Sequence, residues 1–148
     1  MRCIKFDDFD KLKELLTKVE LFNEFSRYDI PKIAGLCDNI QFFDPEEVII
    51  EKGKIDESFF ILLAGTARVT QTMMGESVFT LEPGCIFGEI SFLSHSERTS
   101  YVIANENVFA LNISRKMMLT LEPDIRERVK DYLILKLVHR IKQIESSV

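Results

Sequence analysis

The chain has 148 residues, 46% of them hydrophobic and 29% charged, which suits one soluble globular domain with a sizeable core. Its net charge of −5 disfavours nonspecific attraction to nucleic acid or to an anionic membrane. The cysteines are odd in number and lack the spacing of metal ligands, which indicates reduced thiols in a cytoplasmic protein.

Charged residues interrupt the start of the chain, so no signal peptide is expected. The longest apolar runs, such as Phe59–Ala64, have the length of a strand rather than of a membrane span. The chain is therefore predicted to be a single domain, residues 1–148, in three parts.

Residues 1–39 are predicted to form N-terminal helices. Apolar residues recur there at helical spacing, with charged residues between them: Phe9, Leu12, Leu15, Leu16 and Val19. A second helix is predicted from Asp29 to Cys37, because Ser26 or Asp29 can cap it and Pro31 fits its first turn. These helices are interpreted as packing elements rather than as a binding site.

Residues 40–113 change to short β-type segments separated by turn residues. The predicted strands include Phe59–Leu63, Thr66–Met73 and the segment Val78–Leu81, with Met74-Gly75 as a hairpin turn. Several short strands at this spacing indicate a β-sandwich or jelly roll. The predicted fold class is α+β, a jelly-roll barrel of about eight strands flanked by helices at both ends.

Residues 114–148 are again predicted to be helical. Ser114 is a good N-cap for a short helix, and Pro123 ends that helix and opens the next. The last helix carries more apolar residues between Leu133 and Val138 than one buried stripe requires. Three interpretations stay open: a lid over a ligand, a dimer seam at Leu133, Leu137, Ile141 and Ile144, or a helix fully buried on its own domain.

The segment from Phe87 to Ala104 concentrates the chemistry of the chain. Gly88 can bring bare backbone close to a ligand. Residues Glu89–Leu93 can form one helical turn, whose free N–H groups favour an anion. Arg98 adds a planar fork suited to a phosphate, and the Glu89 carboxylate is an acceptor suited to a hydroxyl group. The alternative is a tight turn at Gly88 beside an ordinary ion pair between Arg98 and Glu89.

This segment resembles the phosphate-binding cassette, here residues 87–100, of cyclic nucleotide-binding domains, as in bacterial cyclic AMP receptor proteins and protein kinase regulatory subunits. In that family Phe-Gly-Glu opens the cassette and an arginine closes it, a spacing matched by Phe87, Gly88, Glu89 and Arg98. The resemblance implies that Arg98 contacts the cyclic phosphate and Glu89 the ribose 2′-hydroxyl. The ligand-binding set that it implies is Phe87, Gly88, Glu89, Ile90, Ser91, Arg98, Thr99 and Ser100.

The resemblance also implies a receptor for cyclic AMP or cyclic GMP that changes its helix packing when the ligand binds. Phe92 falls where the family has an apolar contact to a hinge helix, and Tyr132 and Leu133 are candidates for a lid or base contact. Thr99 does not decide between the bases, since a hydroxyl at this position occurs with both nucleotides. The bacterial appearance of the module favours cyclic AMP.

Catalytic and DNA-binding features are weak in this sequence. Its two histidines, His95 and His139, do not form the cluster that a metal-dependent jelly-roll enzyme needs. Nothing after Ile113 resembles a helix-turn-helix, so direct DNA binding is not expected. The predicted function is therefore ligand binding, with no enzymatic activity, cofactor or metal, an unidentified effector and a homodimer through the last helix. The alternative is an interaction module that keeps the fold without binding a nucleotide.

Overall fold

The structure is a computed structural model, and it describes residues 2–4, 14, 19–23, 25–26, 28–33 and 39–146. The described strands are β1 (Arg2–Ile4), β2 (Ile40–Phe43), β3 (Val48–Ile50), β4 (Ser58–Ala64), β5 (Ala67–Thr70), β6 (Ser77–Leu81), β7 (Ile86–Phe87), β8 (Tyr101–Ala104) and β9 (Val108–Ser114). The described helices are α1 (Glu20–Asn23), α2 (Ile30–Ile33), α3 (Glu89–Ser94), α4 (Arg115–Leu119) and α5 (Pro123–Ser146).

The strands form two antiparallel sheets. One has the order β1-β2-β9-β4-β7 and the other the order β3-β8-β5-β6. The consecutive strands β4 and β5 thus lie in different sheets, joined by a tight turn at Gly65. This arrangement confirms the predicted jelly-roll barrel flanked by helices.

Strand β1 was not predicted, since the first 39 residues were expected to be helical. It pairs with β2, with Arg2 opposite Phe42 and Ile4 opposite Ile40. A three-residue strand leaves little periodicity to detect, and its partner is distant along the chain. Most of the predicted first helix, Phe9 to Leu16, lies outside the described residues, as do Ala34 and Cys37 of the second.

The apolar run in β4 is buried on both of its faces. Phe60 and Leu62 point into the barrel, where they share a core with residues of the other sheet such as Ala67 and Val102. Phe59 and Ile61 point to the opposite side and pack against the helices. A strand covered on both faces is apolar without alternation, which explains why this segment gave the most continuous β-type signal in the sequence.

The first half of α5 packs on the barrel and on the N-terminal helices. Its buried residues are Ile125, Val129, Tyr132 and Leu133. Both caps predicted for this region are confirmed: the Ser114 hydroxyl accepts a hydrogen bond from the Met117 N–H at 3.1 Å, and Pro123 opens α5.

Three ion pairs tie the N-terminal part to the α4–α5 region. Lys32 Nζ lies 3.0 Å from Glu122 Oε2. Arg128 Nη1 lies 3.1 Å from Asp29 Oδ2, and Lys136 Nζ lies 2.5 Å from Glu20 Oε2. The Arg128 guanidinium, assisted by Ser26, holds the pKa of the Asp29 carboxyl below its usual range. Lys136 and the Tyr132 hydroxyl likewise lower the pKa of the Glu20 carboxyl, so the ties to Asp29 and Glu20 favour the charged form of these two acids in the folded domain.

The second half of α5 leaves apolar side chains exposed: Ile134, Leu135, Val138 and Ile141. The predicted dimer seam is therefore wrong at Leu133, which is buried in its own domain. The exposed stripe runs through Ile134, Val138 and Ile141 instead, at steps of four and three residues. None of the described helices is both long and apolar enough to cross a membrane.

Candidate functional site

A cavity of about 240 Å³ lies between the segment 87–100 and the four-stranded sheet. We call it the cassette pocket. All eight residues predicted to bind a ligand line it: Phe87, Gly88, Glu89, Ile90, Ser91, Arg98, Thr99 and Ser100. The rest of its lining comes from β3, β5, β6, β8, Gln71 and Arg140 of α5. The structure thus brings the whole predicted set to one pocket.

Gly88 turns the chain from β7 into α3. Its φ angle of 78° lies in the left-handed region, where glycine avoids the strain of a side chain. A Cβ atom there would lie 3.0 Å from Arg98 Nη1 and 3.1 Å from Ile50 Cδ1. The glycine therefore both starts the helical turn and leaves room for the guanidinium of Arg98.

Arg98 is buried, with only 3% of its surface exposed, and its guanidinium is held by two carbonyl groups and a carboxylate. Nη1 donates to the Gly88 carbonyl at 2.7 Å, and Nη2 donates to the Ser58 carbonyl at 2.7 Å. Asp56 Oδ2 lies 3.3 Å from Nη2 and supplies the opposite charge. Nε is buried and has no hydrogen-bond partner among the described residues. One donor of the guanidinium is thus left for an acceptor that none of these residues provides.

Glu89 is the second buried charge of the pocket, with only 2% of its surface exposed. Arg140 Nη1 lies 2.9 Å from Glu89 Oε1 and forms an ion pair with it. Oε1 has this charge partner but no hydrogen-bond partner in the described part of the chain. Arg98 pairs with Asp56 and Glu89 with Arg140, which argues against the simple Arg98–Glu89 ion pair considered from the sequence.

The α3 helix presents its first amides at the pocket. Gly88 provides no side-chain cap, and the first intrahelical bond runs from the Phe92 N–H to the Gly88 carbonyl at 3.4 Å. The N–H groups of Glu89, Ile90 and Ser91 precede that bond and have no carbonyl four residues back within the helix. They add donors to the positive charge of Arg98.

Phe92 is buried beneath the pocket. Its ring centroid lies 5.0 Å from that of Phe59, and the Arg115 guanidinium lies 4.6 Å from the ring. Arg115 also donates to the Phe92 carbonyl. Phe92 belongs to the same apolar cluster as Ile125 and Val129 of α5. This position suits the predicted hinge contact, which remains a prediction.

Tyr132 and Leu133 do not line the cassette pocket. Both belong to the apolar cluster with the N-terminal helices, and the Tyr132 hydroxyl donates to Glu20 Oε2 at 3.1 Å. In this arrangement of α5 neither residue reaches the pocket, and their predicted lid or base contact remains a prediction. Arg140, two turns further along the helix, is the α5 residue that reaches the pocket.

Sequence reasoning also missed three residues of the site: Asp56, Gln71 and Arg140. Asp56 neutralises Arg98 from the loop before β4, and Gln71 lines the pocket just beyond β5. Each looks like an ordinary surface residue in the sequence, because its role depends on strand pairing or helix register rather than on a local motif.

A family profile described as "Cyclic nucleotide-binding domain" matches residues 40–122. The cGMP-dependent protein kinase egl-4 of Caenorhabditis elegans is 32% identical over 127 residues, which are 82% of this chain and 16% of that kinase. The cGMP-dependent protein kinase 2 of Homo sapiens is 31% identical over 112 residues, 72% of this chain and 15% of that kinase.

Solved structures give the same fold. A cyclic nucleotide-binding domain from Methylobacillus flagellatus has a TM-score of 0.74 at 21% identity, covering 95% of this chain and 82% of that chain. The chain spans about a sixth of the length of the curated relatives described above.

Proposed function

Because the chain belongs to the family of cyclic nucleotide-binding domains, we propose that it is a receptor domain that binds cyclic AMP or cyclic GMP in the cassette pocket. Its role is to bind and to signal rather than to catalyse. The ligand needs no cofactor, and the output passes through α5 to an effector protein or domain. We place the receptor in the cytoplasm, with the exposed stripe on α5 available for contact between copies.

One observation carries this proposal: two buried polar atoms of the same pocket lack hydrogen-bond partners among the described residues. Arg98 Nε is a donor and Glu89 Oε1 is an acceptor. Leaving such a group unsatisfied costs about 1–3 kcal/mol. A ligand with an anionic phosphate beside a hydroxyl group satisfies both, because the phosphate accepts from Arg98 and the hydroxyl donates to Glu89. The cyclic phosphate and the ribose 2′-hydroxyl of a cyclic nucleotide have this arrangement.

Arg140 couples ligand binding to the position of α5. The ligand hydroxyl and Arg140 both contact the Glu89 carboxylate, so the energy of one contact depends on the other. A ligand shifts a conformational equilibrium only by its difference in affinity for the two states. Glu89 supplies that difference if Arg140 contacts it in one position of α5 and not in the other.

Isothermal titration calorimetry with four ligands tests the proposed function: cyclic AMP, cyclic GMP, 5′-AMP and guanosine. We expect at least one cyclic nucleotide to bind about tenfold or more tightly than 5′-AMP and guanosine, since only the cyclic compounds place the phosphate and the hydroxyl together on a rigid ring. If none of the four binds to the folded protein, the chain is an interaction module that has kept the fold. Stronger binding of guanosine would point to a nucleoside site.

Replacing Arg140 by alanine is expected to weaken cyclic nucleotide binding about two- to fivefold, the size of a half-exposed ion pair. Without Arg140, the buried Glu89 carboxylate has lost its positive partner and repels the nearby phosphate of the ligand. Lys142→Ala serves as the control, because it removes one positive charge from the exposed part of the same helix. Tighter binding by Arg140→Ala would mean that Arg140 competes with the ligand for Glu89.

A further inference from the structure

A chain of hydrogen bonds runs along the wall of the cassette pocket. Lys52 Nζ donates to the backbone carbonyl of Gln71 at 3.3 Å and to its side-chain Oε1 at 3.2 Å. Gln71 Nε2 then donates to the hydroxyl of Ser100 at 3.2 Å. Gln71 and Ser100 line the pocket, whereas Lys52 contacts Gln71 from outside the lining.

Strand pairing produces this arrangement. Thr70 at the end of β5 lies opposite Tyr101 at the start of β8. Gln71 and Ser100 therefore face each other just beyond the last paired residues. Ser100 follows Arg98 by two positions, so the Gln71 amide is held on the same wall as the arginine that we assign to the phosphate.

The amide of Gln71 has a defined orientation because of Lys52. An ammonium group can only donate hydrogen bonds, so it must face the amide oxygen rather than the amide nitrogen. The Gln71 NH₂ group is then turned towards Ser100 and the pocket. One of its two N–H donors is used by Ser100, and the second remains for a ligand. Rotating the amide to present its oxygen would place its NH₂ group against Lys52 and lose that bond.

We propose that Gln71, oriented by Lys52, selects guanine over adenine, so that the ligand of this pocket is cyclic GMP. This inference rests on the proposed function and adds the choice of base to it. The base edge of guanine offers two acceptors, O6 and N7, whereas adenine places its N6 amino donor beside N7. A fixed N–H donor suits the first edge and opposes the N6 group of the second.

The position of Gln71 relative to Arg98 and Glu89 supports a base contact. These two residues hold the phosphate and the ribose at one end of the pocket. The end nearer Gln71 is lined by the apolar side chains of Val78 and Phe79, which are partly exposed and available to cover a purine ring. The inference reverses the preference for cyclic AMP that the bacterial appearance of the sequence favoured.

Competition calorimetry with cyclic GMP, cyclic AMP and cyclic IMP tests this selection. We expect the wild-type protein to bind cyclic GMP about tenfold more tightly than cyclic AMP, within the range of one good base contact. Cyclic IMP keeps O6 and N7 of guanine but lacks its 2-amino group, so it should bind nearly as tightly as cyclic GMP. Binding of cyclic IMP at the level of cyclic AMP would assign selection to the 2-amino group and overturn the role of Gln71.

Two substitutions separate the contact of Gln71 with the base from the orientation of its amide by Lys52. Gln71→Met should weaken cyclic GMP binding about five- to tenfold and change cyclic AMP binding less than about twofold, since it removes the donor and keeps the length of the side chain. Lys52→Met should bring the ratio of the two affinities to within about threefold, because a released amide can rotate to accept from the adenine N6 group. The loss of one positive charge affects both nucleotides equally and cancels in the ratio.

Lys54→Met is the matched control, because Lys54 pairs with Glu51 and does not line the cassette pocket. This substitution should leave the ratio of the affinities for cyclic GMP and cyclic AMP unchanged. Equal affinities for cyclic GMP and cyclic AMP in the wild-type protein would overturn the selection by Gln71 and leave the proposed function intact. Failure of both nucleotides to bind would overturn the proposed function and this inference with it. A ratio that persists in Lys52→Met would overturn the positioning role of Lys52.

Discussion

Replacing Arg98 by alanine is expected to weaken cyclic nucleotide binding by about 30- to 3000-fold, which corresponds to about 2–5 kcal/mol for a charge partner lost from a desolvated site. The phosphate would lose the fixed guanidinium whose Nε is without a partner among the described residues. Arg98→Lys should bind at an intermediate level, because it keeps the charge and loses the planar fork. Calorimetry with the better-bound cyclic nucleotide measures both variants.

Thermal unfolding of Arg98→Ala is needed beside the binding experiment. The substitution also leaves the carbonyl groups of Gly88 and Ser58 without their donor and removes the partner of Asp56. Arg68→Ala is the control, because Arg68 lies in β5 of the sheet beside the pocket, pairs with Glu46 and does not line the pocket. A folded Arg98→Ala protein that binds within about threefold of wild type would contradict the assignment of Arg98 to the phosphate.

Replacing Gly65 by alanine is expected to lower the free energy of unfolding by about 2–5 kcal/mol. Gly65 makes the turn between β4 and β5 with a φ angle of 81°. A Cβ atom there would lie 2.2 Å from the backbone oxygen of Asn107 and 3.1 Å from Val108 Cγ2. The left-handed conformation and the backbone clash both oppose the side chain, and the backbone of neighbouring β9 cannot move away without disturbing its pairing.

Gly53→Ala separates the two causes. Gly53 has a similar φ angle of 89°, but a Cβ atom added to it would meet nothing within 4 Å. It should therefore show only the conformational cost, about 1–2 kcal/mol. Urea unfolding of both variants gives the difference. Equal losses at the two positions would mean that the Asn107 backbone moves aside freely and that the clash has no cost.

The binding residues between Phe87 and Ser100 could be predicted because they are close together in the sequence. Their spacing is a local signal, and the structure places all of them at one pocket. The β-type segments could be predicted for a similar reason, since alternation and turn residues lie within each hairpin. Which strands share a sheet was not predicted, because pairs such as β4 with β9 join segments that are far apart in the sequence.

Residues brought to the pocket from elsewhere could not be found in this way. Arg140 reaches Glu89 only because α5 continues without a break from Pro123 and keeps its register. Gln71 reaches Ser100 only through the pairing of β5 with β8. Contacts of this kind are set by tertiary geometry, and a single sequence contains no local pattern for them.

The position of Tyr132 and Leu133 away from the pocket has a specific physical cause. From the sequence, the apolar excess of α5 fits a lid, a dimer seam or a helix buried on its own domain, because the sequence does not indicate how much of the helix the N-terminal segment covers. Val19, Leu21 and Phe22 share the apolar cluster of these two residues. The apolar residues that remain exposed, Ile134, Val138 and Ile141, lie on an adjacent face of the helix.

Because α5 is long, a small rotation of its unburied part displaces the end of the helix. Its 24 residues, at about 1.5 Å each, span about 36 Å. Only the first half, up to Leu133, is buried in the core, so the unburied part is residues 134–146, which is about 20 Å long and carries Arg140 near its middle. A tilt of this part by about 10° would displace its far end by about 3 Å, from the same length. A tilt that moves Arg140 relative to Glu89 would therefore move the end of the helix about twice as far, since that end lies about twice as far along it from Leu133.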